Sequence, residues 1–199
     1  MHLSGDSLTC ERGGRTVFKG LSFAVGPGEL LQITGPNGSG KSSLLRLIAG
    51  LNEATAGALH LEGGHGELAI GQQAHYIAHQ EAVKSALTVA ENLGFWSDFL
   101  GGGDVGHALA AFDLTRLSAY PAGLLSAGQK RRLALSRLAL VPRVIWLLDE
   151  PTVGLDQAAQ ARLAAAMTGH LAKGGLILAA THVPLGLEAR RHLELGGPS

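Results

Sequence analysis

Cysteine is nearly absent from this chain: its 199 residues include one, Cys10. A single thiol closes no internal disulfide, which excludes the bridge-stapled secreted scaffolds and fits a reducing compartment. Next to a strand-like stretch, Cys10 reads as a small buried hydrophobe. An excess of charge of either sign is missing as well. Sixteen Lys and Arg balance sixteen Asp and Glu, so there is no global basic field and no nucleic-acid partner is expected. Long apolar runs are also lacking. Nothing approaches the roughly 18 consecutive apolar residues of a membrane span, and the N-terminal stretch has neither the basic nor the apolar region of a secretory signal. The expected location is cytoplasmic, and any role at a membrane requires a partner. No internal repeat or low-complexity segment interrupts the pattern.

At 46% apolar and 16% charged residues, the composition is that of a globular protein. The length fits one domain with a substantial core and room for an inserted sub-domain. The most specific stretch is Gly35-Pro36-Asn37-Gly38-Ser39-Gly40-Lys41-Ser42, which has the G-x-x-x-x-G-K-[ST] form of a phosphate-binding P-loop. Before it, the apolar run Leu30-Leu31-Gln32-Ile33-Thr34 predicts a buried strand. After it, apolar residues at 44, 47, 48 and 51 predict a helix over 43–51, which Gly50 or a neighbour can end. Strand, glycine loop and helix together aim backbone N–H groups and a helix N-terminus at a phosphate chain. Lys41 would reach the β and γ phosphates, and Ser42 would hold Mg²⁺.

Strand-like pieces fill residues 2–34. Residues 21–25 alternate apolar and polar, and Gly26-Pro27-Gly28 turns them toward the P-loop strand. Residues 58–62 and, more weakly, 76–78 read as further strands. A helical pattern then takes over from residue 82 to about 137. Thr88-Val89-Ala90-Glu91 has the capping-box form, Gly101-Gly102-Gly103 breaks the chain, and residues 107–114 look helical again. A small-residue turn at Leu125-Ser126-Ala127-Gly128-Gln129 opens a helix that ends near Leu140. Residues 144–148 form a continuous apolar run, the mark of a strand buried on both faces. An alanine-rich helix over 157–173 follows, with Asp156 as N-cap and Gly174 past its end. Residues 176–180 form the next buried strand. Strands alternating with helices argue for an α/β fold with a mainly parallel sheet. Such sheets bind ligands at the carboxyl ends of their strands, where the P-loop, Asp149 and Thr181-His182 all fall.

A P-loop needs a carboxylate from a neighbouring strand to fix its metal. Leu147-Leu148-Asp149-Glu150 delivers one: Asp149 would hold Mg²⁺ through its hydration shell. Glu150 points elsewhere and could polarise an attacking water as general base, a role worth roughly 10²–10⁴-fold in rate. The alternative is a strand-end pair that only caps a turn. His182 could hydrogen-bond the γ-phosphate and the attacking water, and Gln80 could reach Mg²⁺ or the water, although each taken alone is as readily structural. Ser126 and the N–H groups around Gly128 make a second anion site at a helix N-terminus, far in sequence from the first. A nucleotide held by both sites would bridge two subunits.

In order and spacing, these residues resemble an ATP-binding-cassette (ABC) ATPase over nearly the whole chain. The matching pieces are Walker A at 35–42, Gln80, an L-S-x-G-Q signature at 125–129, L-L-D-E at 147–150, Gly154-Leu155-Asp156 and Thr181-His182. The resemblance implies a single ABC ATPase domain over 1–199 with a P-loop NTPase fold. Its RecA-like nucleotide-binding core would comprise 1–81 and 138–199, with an N-terminal antiparallel β-subdomain and a helical subdomain inserted at about 82–137. It implies ATP hydrolysis with Mg²⁺ by two such subunits closing head to tail around two ATP molecules. Residues 37–43 of one subunit, Ser43 included, would cradle the phosphates. Ser126, Gly128 and Gln129 of the other would cover the γ-phosphate. Glu150 would activate water, His182 would sense the γ-phosphate, Gln80 would join Ser42 and Asp149 at the metal, and Asp156 of the D-loop would link the two sites. The region from Gln80 to about Asn92 would contact a polytopic membrane subunit.

Within the family, the stretches around residues 10–23, 28–35 and 125–129 resemble the ATP-binding subunits of cytochrome c maturation transporters. That implies a peripheral place on the cytoplasmic face of the inner membrane and coupling to haem export or to release of a haem chaperone. A transporter ATPase for another substrate shares every catalytic residue. Soluble relatives that act on nucleic acid usually carry two cassettes, coiled coils or basic extensions, and this chain has none. Its nine histidines form no C-x-x-C-H site or clustered pair, so direct haem ligation is not expected and partners would handle haem. Two positions depart from the family pattern. Arg12 stands where relatives stack an aromatic on adenine; a guanidinium can also stack on a base, or Arg12 faces solvent or pairs with Glu11. Ala127 stands where most signatures have glycine, and the turn is expected to tolerate its methyl group.

Overall fold

The structure, a computed structural model, describes residues 1–196. Strands β1 (His2–Arg12) and β2 (Arg15–Val25) form a hairpin over Gly13 and Gly14, whose φ values of 55° and 74° suit glycine. Next come β3 (Leu30–Thr34), α1 (Lys41–Ile48), β4 (Ala56–Glu62) and β5 (Ala74–Ile77). Helices α2 (Val89–Leu100), α3 (Val105–Ala111) and α4 (Ala127–Ser136) precede β6 (Ile145–Asp149). The chain continues through α5 (Gln157–Ala172), β7 (Leu176–Ala180) and β8 (Arg191–Glu194). The strands make two sheets: an antiparallel one in the order β2-β1-β4 and a parallel one in the order β5-β6-β7-β3-β8.

Alternation along the parallel strands divides two apolar cores. Ile145 and Leu147 of β6 pack with Leu44 and Ile48 of α1 and with Leu3, Leu8 and Cys10 of the antiparallel sheet. Trp146 and Leu148 face the other way, against Leu93, Leu133 and Leu163 of the surrounding helices. Each such buried Leu or Ile contributes about 1.5–3 kcal/mol. Because both faces are covered, β6 and β7 are wholly buried, which is why they read as unbroken apolar runs.

Several boundaries move from the sequence expectation. The helix after the P-loop begins at Lys41, because Gly40 at φ 103° is its N-cap, and ends at Ile48. Gly50 at φ 72° closes it: the Gly50 N–H donates to Leu47 O at 3.0 Å and the Leu51 N–H to Arg46 O at 2.8 Å. This is the paired hydrogen bonding of a Schellman stop. Leu51, whose spacing placed it on the apolar stripe, is 63% exposed. The expected helix at 107–114 starts earlier, at Val105, because Asp104 caps it by accepting from His107 N–H at 2.9 Å. The strand expected at 21–25 extends back to Arg15. The capping box forms as expected, with Glu91 N–H donating to Thr88 Oγ1 at 3.1 Å and Thr88 N–H to Glu91 Oε2 at 2.7 Å.

Candidate nucleotide site

The order of the parallel sheet builds the site. Strands β5, β6, β7 and β3 are successive neighbours, and all run the same way. Their carboxyl ends therefore deliver, side by side, the loop carrying Gln80, the Asp149-Glu150 pair, Thr181-His182 and the P-loop. This is the sheet edge where such folds bind ligands.

In the P-loop, Gly35, Gly38 and Gly40 have φ of 134°, 83° and 103°. A Cβ on Gly35 would collide with the Leu195 carbonyl, and one on Gly40 would lie 2.7 Å from Val17 Cγ1. Glycine is thus required both by conformation and by close approach. Ser39 N–H donates to Pro36 O at 3.2 Å and tightens the turn. Lys41 is 8% exposed, and its Nζ donates to the carbonyls of Gly35 at 2.6 Å and Pro36 at 3.0 Å. An ammonium group has three donors, so one remains for a ligand. The Ser39 hydroxyl is buried with no hydrogen-bond partner among the described residues. The first turn of α1, which opens directly after the loop, leaves N–H groups without intrahelical partners. Asn37 and Gly38 are exposed on the loop, Ser42 is half-buried and Ser43 is buried behind it. Unfilled donors around a glycine cradle fit an anionic phosphate chain.

Asp149 ends β6 and is 4% exposed, in a setting where an ionised carboxylate requires a cationic partner. Its carboxylate, the Ser42 hydroxyl and the Gln80 amide are hard oxygen donors of the kind Mg²⁺ takes. Glu150, half-exposed, leaves the strand at φ 47°, a left-handed conformation that costs a non-glycine residue of order 1–3 kcal/mol and clusters at functional sites. Its N–H donates to Ala180 O at 2.8 Å, which ties it to the end of β7. His182 is exposed, while Thr181 before it is fully buried, its Oγ1 accepting from Val183 N–H at 3.1 Å.

The signature forms the first turn of α4. Ser126 is its N-cap: Gln129 N–H donates to Ser126 Oγ at 3.2 Å, and Ser126 N–H donates to Gln129 Oε1 at 2.8 Å. Ala127 is the first helical residue and has no positive φ, so its methyl group is accommodated and no glycine is needed there. A Cβ on Gly128 would meet the Gly154 carbonyl at 2.8 Å, so the signature turn packs directly on the segment before Asp156. Asp156 caps α5, accepting from Ala159 N–H at 2.8 Å. No hydrogen bond among the described residues joins residues 126–129 to 35–43. Arg12 is exposed at the hairpin end, in register with Arg15, and makes no ion pair with Glu11 among the described residues.

One residue escaped the sequence reading. Arg131 of α4 is 2% exposed and donates to the backbone carbonyls of Asp149 and Glu150 and to that of Ala78, ahead of Gln80. Burial lowers its pKa, opposed by the charges of Glu81, Asp149 and Glu150. A signal for it existed: Arg131 shares the buried stripe of Ala134, Leu135 and Leu138 at i, i+3, i+4 and i+7, where a charge is out of place.

The sequence pattern of the ABC transporter family matches residues 18–153. The chain belongs to the ABC transporter family and is one of its ATPases, with the α/β fold of that class. Over 199 residues it is 58% identical to the cytochrome c biogenesis ATP-binding export protein CcmA of Nitrobacter winogradskyi, across 99% of each chain. It is 53% identical to the protein of the same name from Bradyrhizobium diazoefficiens, again across 99% of each. Among solved structures, an ATP-binding subunit of an ABC transporter superposes with a TM-score of 0.81 at 26% identity, over 92% of this chain and 80% of that one. A dimeric ATP-binding cassette bound to ADP and phosphate shares the fold with a TM-score of 0.84 at 22% identity, over 97% and 94%.

Proposed function

We propose that this chain is the ATP-hydrolysing, energy-coupling subunit of an ABC transporter for c-type cytochrome biogenesis, driving haem export or release of a haem chaperone. The observation that carries this reading is end-to-end identity of 58% with a relative named for that role. In it, residues 35–43 cradle the phosphates and the free donor of Lys41 reaches the β and γ oxygens. Mg²⁺, held by Ser42, Gln80 and, through water, Asp149, would neutralise charge on those oxygens. The Glu150 carboxylate accepts a proton from the attacking water, and His182 contacts the γ-phosphate. ATP and water thereby become ADP and phosphate. Ser126, Ala127, Gly128 and Gln129 of a second copy close over the γ-phosphate from outside, with Asp156 between the two sites. The guanidinium of Arg12 stacks on the base. Closure of the homodimer converts ATP binding into motion, and hydrolysis resets it.

The membrane contact is made by the segment running from Gln80 to about Asn92, which leads into the helical unit of about 82–137. A cleft of 360 Å³ lined by Glu81, Val83, Lys84, Phe95 and Trp96 supports that seat. Phe99 next to it is 71% exposed, as an apolar contact awaiting cover would be. The occupant is a polytopic CcmB-like subunit, which places this chain on the cytoplasmic face of the inner membrane. No helix among the described residues is long and apolar enough to cross a membrane. Co-expression with the polytopic proteins of its own operon tests the reading. Retention of the chain in the membrane fraction by one of them is expected, and a chain left unbound by all of them rules out the transporter role.

A further inference from the structure

The Arg131 guanidinium is buried, yet none of its hydrogen bonds goes to a carboxylate. Its Nη2 donates to Asp149 O and to Glu150 O, both at 2.8 Å. Its Nε donates to Pro151 O at 3.4 Å. Its Nη1 donates to Ala78 O at 2.7 Å and lies 3.5 Å from His79 O. In an extended strand, successive carbonyls point to opposite sides. Two successive carbonyls that meet one nitrogen require the chain to leave the strand between them, and the residue between them is Glu150 at φ 47°. Fixing the peptide planes on both sides of a Cα fixes its φ and ψ, because these are its only soft dihedrals. The same guanidinium holds the carbonyls just before Gln80. An aliphatic side chain would fill this place on the apolar stripe without burying a charge, so packing alone does not account for an arginine.

We propose that Arg131 is a positioning residue for hydrolysis: it locks the left-handed turn at Glu150, and so aims the Glu150 carboxylate. This rests on Glu150 acting as the base. Arg131 itself touches neither water nor nucleotide. Its planar fork is what the geometry uses: Nη1 serves the 78–79 segment while Nη2 and Nε serve 149–151, and a lysine offers a single nitrogen in place of three.

Steady-state hydrolysis of MgATP by the full chain tests this. Arg131→Lys should lower kcat roughly 10–100-fold, as expected for a displaced reacting group, with KM and fluorescent-nucleotide affinity within about twofold of wild type. Single-turnover rates then separate Arg131 from its premise. In a Glu150→Gln background, adding Arg131→Lys should cause no further loss, because the group it places has already gone. An unchanged kcat in Arg131→Lys, a rise in KM with kcat intact, or a further loss in the double variant each overturns the proposal. Glu150→Gln with full turnover instead removes the base assignment on its own. Should Arg131→Lys fail to fold, Arg131→Gln, which buries no charge, takes its place. If neither folds, Arg131 serves the fold alone and the proposal is lost.

Discussion

Replacing Glu150 by glycine should make the protein more stable and inactive at once. Glu150 sits at φ 47°, a conformation that costs an L-residue roughly 1–2 kcal/mol, and glycine removes that cost. Against it stands the extra freedom glycine loses on folding, about 0.5–1 kcal/mol. Little packing is lost, because Glu150 is half-exposed, and its backbone bonds to Ala180 and Arg131 survive the change. The net gain is of order 0.5–1 kcal/mol, or about 1–4 °C in Tm for a chain of this size. Glu150→Ala is the control: it also removes the carboxylate but keeps the backbone strain, so its Tm should stay near that of wild type. Thermal unfolding of the three proteins without nucleotide reads the effect, alongside ATP turnover, which both variants should lose by at least roughly 10²-fold. A Glu150→Gly protein that melts at or below Glu150→Ala would refute strain at this position, and with it the reasoning that ties the turn to function.

Two further perturbations bear on separate parts of the molecule. Burial lowers the His75 pKa from 6.5 to about 4, partly offset by its bond to Val141 O. The folded state thus disfavours the proton, so this stabilisation is complete above pH 6.5 and is lost as pH falls toward 4. The loss is at most about 3 kcal/mol; urea unfolding at intervals across this window should show it, with a flatter profile in His75→Gln, and equal slopes in the two proteins would count against it. Lys41→Ala removes the donor left free by Gly35 and Pro36 and should weaken MgATP binding roughly 10–100-fold, measured with a fluorescent analogue; unchanged affinity would place the phosphates elsewhere.

Legibility in the sequence follows burial and local chemistry. The strands β3, β6 and β7 are readable because the parallel sheet is covered on both faces. The caps at Thr88 and Asp156 are readable because each bond closes within three residues. The P-loop, Asp149 and Glu150 are readable because each follows a buried apolar strand in a local motif, although β7 lies between their strands β3 and β6. Other features depend on contacts that no window of sequence contains. Strand β8 is mostly exposed and is set by pairing with β3 and by the Arg191–Glu29 ion pair at 2.7 Å, so it carries no apolar pattern. Leu51 mimics a helical position, but its N–H completes a helix stop. Arg131 stands out in the sequence as a charge on an apolar stripe, but its partners, residues 78–79 and 149–151, come from distant segments.

The most direct test is the behaviour of Glu150→Gln in MgATP, followed by sedimentation and by phosphate release. Hydrolysis in a site shared by two copies predicts a dimer held closed by nucleotide, tight MgATP binding and turnover close to zero. A monomer that releases phosphate at the wild-type rate would contradict it.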